Sequence, residues 1–147
     1  MGFLGIRVLL VDNDMDDCLL FSEALQELAF DGDLTTLHDG EQLMRFLVAN
    51  KQFLPHMLFL DLNMPRKNGF ECLSEIMMDN DLKQLPVIIY STSFQPEVVK
   101  TLHEKGASYF IRKPAVFSDL KSVILRSLTL VSDDKHPTLE NFVIHSK

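Results

Sequence analysis

Five times along this chain a short aliphatic or β-branched run gives way to a longer stretch of helical period, and that alternation restricts the fold most. The short runs cover residues 7–11 (RVLLV), 34–37, 57–60 (MLFL), 87–90 (VIIY) and 109–111. MLFL and VIIY are wholly apolar, as strands covered on both faces must be. Between the runs, apolar residues recur at steps of three and four, the mark of one helix face. Cys18, Phe21, Leu25 and Leu28 give the first such stripe, within residues 16–29; Leu43, Phe46 and Leu47 give the second. Phe70, Leu73, Ile76 and Met77 form the third, and Val98, Val99 and Leu102 the fourth. Pro96 suits the first turn of that fourth helix and Gly106 its end. Leu120, Val123, Ile124, Leu128 and Val131 line the last. Five strand-then-helix units predict an α/β fold, a doubly wound parallel five-stranded sheet with helices on both faces. In such sheets the functional crevice lies beyond the carboxyl ends of the strands, so the residues just after each strand matter most.

A chain of 147 residues suits one domain with a single core. Its net charge of −7 argues against sequence-independent nucleic-acid binding, which needs a surplus of Lys and Arg to displace phosphate counterions. No apolar run approaches the roughly 18–20 residues of a membrane span. The apolar opening, residues 1–6, is interrupted by Arg7 and then by Asp12-Asn13-Asp14, which makes it a poor signal peptide, and Ile6 breaks the myristoylation pattern. Cys18 and Cys72 form no CxxC pair, so neither a disulfide framework nor a zinc site is expected, and a reducing cytoplasm is. Both cysteines fall among helical apolar residues and read as small core side chains.

The strand ends carry an unusual set. Asp12, Asn13 and Asp14 come after the first strand, Asp61 after the third, Ser91 and Thr92 after the fourth, and Arg112, Lys113 and Pro114 after the fifth. Acids at two adjacent strand ends suit a hard divalent cation such as Mg²⁺. Two carboxylates about 5 Å apart repel by about 3 kcal/mol at an effective dielectric near 20. A cation, Lys113, or protonation of one acid must therefore offset the charge. Hydroxyl, ammonium, carboxylate and metal are together the parts phosphoryl transfer requires. Read singly they are ordinary: Asp14 or Asp16 could simply cap the first helix, and Asp61 alone would be a turn residue.

Taken jointly, these residues resemble the receiver domain of two-component response regulators. Asp61-Leu62-Asn63-Met64-Pro65 with Gly69 beyond it is similar to the phosphoacceptor signature of that family. The strand entering Asp12, Ser91 after VIIY, and Lys113-Pro114 after the last strand match in order and spacing over about residues 5–130. The helix over residues 16–28 and the Ser91-Thr92-Ser93 segment look most like the single-domain subgroup that includes phytochrome response regulators. The resemblance implies a flavodoxin-like (βα)5 sheet of strand order 2-1-3-4-5. It implies that Asp61 accepts a phosphoryl group from a sensor histidine kinase or phosphotransfer protein, with no enzymatic turnover beyond its own phosphorylation and dephosphorylation. It also implies that Asp12, Asp61 and the carbonyl of Asn63 hold Mg²⁺, that Lys113 and Ser91 contact the phosphoryl group, and that Phe110 is the aromatic switch. Lys113-Pro114 becomes a candidate cis bond. The family usually has a second acid after the first strand; Asn13 stands there, offering a carbonyl but no charge, so weaker Mg²⁺ binding is expected.

Two other readings have some support. Asp12-Asn13-Asp14 resembles the nucleophile loop of haloacid-dehalogenase-type phosphatases, with Asp12 attacking and Asp14 as acid, but that leaves the DLNMP and KP motifs without a role. Asp12, Asp14, Asp16 and Glu23 have the spacing of an EF-hand loop, but Asp17 stands where the turn demands glycine. Residues 5–131 are thus expected to form the receiver domain, and 132–147 a tail that docks on its own domain or on a dimer mate. That tail is too short for a DNA-binding output module. Signalling through a downstream protein target is expected, without nucleic acid or membrane.

Overall fold

The computed structural model describes residues 5–146. Residues 1–4, where most of the apolar opening falls, lie outside them. The chain runs β1 (Ile6–Val11), α1 (Met15–Glu27), β2 (Gly32–Leu37), α2 (Gly40–Ala49), β3 (Met57–Leu60), α3 (Gly69–Met78), β4 (Val87–Ser91), α4 (Pro96–Glu104), β5 (Tyr109–Arg112) and α5 (Phe117–Asp133). The strands form one parallel sheet in the order β2-β1-β3-β4-β5, the expected flavodoxin-like arrangement.

The pleat sends alternate side chains to opposite layers. Leu9, Val11, Leu58, Leu60, Val87, Ile89 and Phe110 face α2, α3 and α4. Val8, Leu10, Met57, Phe59, Ile88, Tyr90, Tyr109 and Ile111 face α1 and α5. Cys18 and Cys72 are buried in these layers as expected, and burial pushes their thiols up to about 11 and about 12, leaving both unreactive.

Local chemistry fixes the helix starts. Asp14, not Asp16, caps α1 by accepting from Asp17 N at 3.1 Å, and Asn68 forms a reciprocal capping box with Glu71 at the start of α3. The first helix ends at Glu27, two residues short of the sequence-based limit, because the backbone turns left-handed at Ala29 (φ 55°). Gly69 is demanded by packing: a Cβ there would lie 2.5 Å from the carbonyl oxygen of Asp61. The tip of β3 and the start of α3 can approach this closely only without a side chain.

The C-terminal segment returns to its own domain. α5 continues to Asp133, two residues into the segment expected as the tail. The chain then makes a 3-10 turn at Leu139–Asn141 and returns beside β5. Phe110 N donates to Phe142 O at 3.0 Å, and Ile144 N donates to Phe110 O at 2.9 Å, so Val143 forms a parallel bridge to Phe110. Phe142 and Ile144 are buried, one in each layer of the core. His103 Nε2 reaches Pro137 O at 2.8 Å, and the Tyr109 hydroxyl donates to Asp134 O at 2.6 Å.

Candidate functional site

Strand register brings the site together. Val11 pairs with Leu60, and Asp61 N extends that ladder by donating to Val11 O at 3.0 Å, so Asp12 and Asp61 leave neighbouring strands side by side. At the other side Ser91 pairs with Arg112, and Lys113 N donates to Ser91 O at 2.7 Å. The lysine therefore leaves β5 pointed at the acids. Its Nζ lies 2.7 Å from Asp12 Oδ2, 2.8 Å from Asp17 Oδ2 and 3.7 Å from Asp61 Oδ2, and 5.1 Å from the ring centre of buried Tyr90.

Asp12 is held on every side. Its N donates to Leu37 O, its Oδ1 accepts from Asp14 N at 3.0 Å, and its carbonyl meets Cys18 Sγ and His38 Nδ1. Oδ2 differs: Lys113 is close but off the line a hydrogen bond needs, so this buried oxygen has no donor. Burial pushes the Asp61 carboxyl up to about 6, Lys113 opposes that shift, and the charge of Asp12 adds to it. For Lys113, burial opposes the charge, but the contacts with Asp12 and Asp17, and then with Asp61, outweigh it and hold the ammonium above the ordinary lysine range. The lysine thus neutralises Asp12, while Asp61 is left partly uncompensated.

A desolvated carboxylate beside a donorless carboxylate oxygen fits a hard cation. Asp12, Asp61 and the Asn63 carbonyl are the residues that would hold it. Asn13 is exposed on the loop after β1, and among the described residues no three His, Cys, Asp or Glu side chains cluster as a metal site. Position 13 thus offers a carbonyl but no charge.

Ser91 is buried, and its Oγ meets Ser93 N and Oγ rather than Asp61. Asn63 N makes only a long contact, 3.4 Å, with Asp61 Oδ1. Phe110 lies in the α2–α4 layer, while Tyr109 faces the other, which separates the two aromatics as expected. No cis peptide occurs among the described residues, so the expectation at Lys113–Pro114 is corrected. The trans form is intrinsically favoured, and the turn after β5 delivers Lys113 to the acids in that form.

Two site residues escape a reading of the sequence. Asp17 stands out there only as a misfit in a calcium loop, yet it accepts the directed hydrogen bond of Lys113. Its place in the first turn of a helix that starts just after Asp12 is the available signal. Phe94, after β4, packs edge-on to Phe110 with ring centres 5.8 Å apart. The rival readings lose their parts. Asp14 is occupied as a helix cap and cannot serve as a free acid, and Asp17 is tied to Lys113 at the position where a calcium loop needs a turn.

The response regulator receiver domain family matches residues 8–125. The chain belongs to that family, a phosphoacceptor signalling module. It is 32% identical over 121 residues to the response regulator Rcp1 of Synechocystis sp., covering 80% of this chain and 82% of that protein. Among solved structures it is similar to the phosphorylated cyanobacterial phytochrome response regulator RcpA. That likeness has 30% identity, a TM-score of 0.76, and coverage of 86% of this chain and 93% of that one. The Mn²⁺-bound form of Rcp1 matches with 29% identity and a TM-score of 0.72, covering 90% and 96% of the two chains. The expected likeness to phytochrome response regulators is thus found. Among the described residues, no helix of this receiver is long and apolar enough to cross a membrane.

Proposed function

We propose that this receiver takes a phosphoryl group onto a carboxylate oxygen of Asp61 from a phosphohistidine of a sensor kinase or phosphotransfer protein, and signals through protein contacts as a single-domain regulator. One observation carries the reading: the carboxylates of Asp12 and Asp61 lie within 3.7 Å of one buried ammonium, at the carboxyl rim of the sheet. The Asp61 oxygen forms the new bond to phosphorus as the bond to the histidine nitrogen breaks. Burial that disfavours its charge in the resting state makes transfer of that charge to a phosphoryl group more favourable. Lys113 moves with the charge to the phosphoryl oxygens, and Ser91 leaves Ser93 to donate to them. Asp12, Asp61 and the Asn63 carbonyl, with Asn13 nearby, would hold Mg²⁺, which when bound would neutralise the transferring charge.

Phosphorylation then shifts the population of the face built by α4, β5 and α5, with Phe110 turning as Ser91 moves. The likeness to the phosphorylated and Mn²⁺-bound relatives supports both the modification and the metal. Incubation with acetyl phosphate and Mg²⁺, and then intact mass, tests the reading. Wild type gains one phosphoryl group and Asp61→Asn gains none; label persisting in that variant places the acceptor elsewhere.

A further inference from the structure

We propose that Asp17 is a positioning residue that holds Lys113 away from Asp61 in the resting protein and gives it up when Asp61 is phosphorylated. This rests on Asp61 being the phosphoacceptor. The ammonium has three acids to choose from: Asp12 from β1, Asp61 from β3 and Asp17 from α1, with the Tyr90 ring of β4 behind it. Its directed hydrogen bond goes to Asp17 at 2.8 Å, while Asp61 lies at 3.7 Å, beyond hydrogen-bond reach.

The three acids differ in what they can do without the lysine. The Asp12 side chain is 0% exposed and Asp61 9%, so neither can exchange the ammonium for water. Asp17 is 28% exposed, so water can take over its carboxylate when Lys113 leaves. Asp17 is therefore the releasable partner. It stabilises the resting position of the lysine more than the position needed on the phosphoryl group, which slows phosphorylation. It also places an acid beside the lysine in a site where Asn13 supplies none.

Initial rates of labelling by acetyl phosphate with Mg²⁺ are compared for wild type, Asp17→Asn, Asp17→Glu and Asp16→Asn. Asp16 is exposed on the same turn and has no contact with Lys113, so its variant carries the same charge change without the positioning. Asp17→Asn is expected to label about two- to fivefold faster, the range of an ion pair with one partner open to water, while Asp16→Asn and Asp17→Glu stay near wild type. In a metal-free crystal structure of Asp17→Asn, Lys113 Nζ is expected within about 3.2 Å of an Asp61 carboxylate oxygen. An unchanged or slower rate, equal acceleration by Asp16→Asn, or a lysine that has not moved overturns the proposal. Labelling of Asp61→Asn would instead overturn the assignment of the acceptor, and the crystallographic result would still report on what Asp17 does to the lysine.

Discussion

The ammonium of Lys113 lies 2.7 Å from the carboxylate of Asp12, and the two side chains are 7% and 0% exposed. A buried pair of this kind contributes little beyond the cost of burying it, yet breaking it is expensive because one charge is stranded. Lys113→Met is therefore expected to destabilise the protein by about 3–5 kcal/mol at neutral pH. Adding Asp12→Asn should recover much of that loss. Urea denaturation of the two variants measures both; a loss in the single variant that the second substitution does not reduce would mean that packing, not charge, is at stake.

Asp61 responds to pH in the opposite sense to a salt-bridged acid. Burial raises its carboxyl from 3.8 to about 6, so the folded state resists ionisation more than the unfolded chain does. Stability from this group is then fully present below about pH 4 and is lost as pH rises through about 6. In the absence of Mg²⁺, Asp61→Asn is expected to be more stable than wild type by about 2 kcal/mol at pH 7, with the difference vanishing near pH 4. Denaturation midpoints at the two pH values decide it.

Asn13→Asp adds a charge at the residue that follows Asp12, whose Oδ2 has no donor. Half-saturation of phosphorylation by Mg²⁺ should fall about tenfold, and resting stability without metal should fall as well, since like charges gather at one rim. Equal half-saturation in the two proteins would show that position 13 takes no part in holding the cation.

Phe142 is fully buried and meets His103 edge-on at 5.1 Å. Phe142→Ala is expected to cost about 3–5 kcal/mol, the range for deleting a core aromatic. Hydrogen exchange should find the Phe110 and Ile144 amides protected in wild type and fast in that variant. Fast exchange in wild type would mean that the tail is not held on the domain.

The sheet was legible because its inner strands are uniformly apolar and its helices carry regular stripes; MLFL and VIIY leave little choice. The site was legible to the extent that its groups end strands, since parallel register then places Asp12, Asp61 and Lys113 together automatically. Asp17 was hidden because a helix residue contacts the rim through its rotation about the helix axis, which short spacing arguments do not fix. The pairing of Val143 with Phe110 was hidden for a different reason. Phe142, Val143 and Ile144 show that the tail has something to bury, but three residues carry no periodicity long enough to declare a strand or to choose its neighbour.

Tethering gives the tail a competitive advantage. The Phe110 amide and carbonyl, the groups a visiting strand would use at the outer margin of β5, are already occupied by Phe142 and Ile144 of the same chain. A short covalent connection presents those rivals at an effective concentration in the millimolar range. An extended peptide seeking that margin must displace a neighbour that never diffuses away, so strand addition and edge-to-edge aggregation on that side are disfavoured.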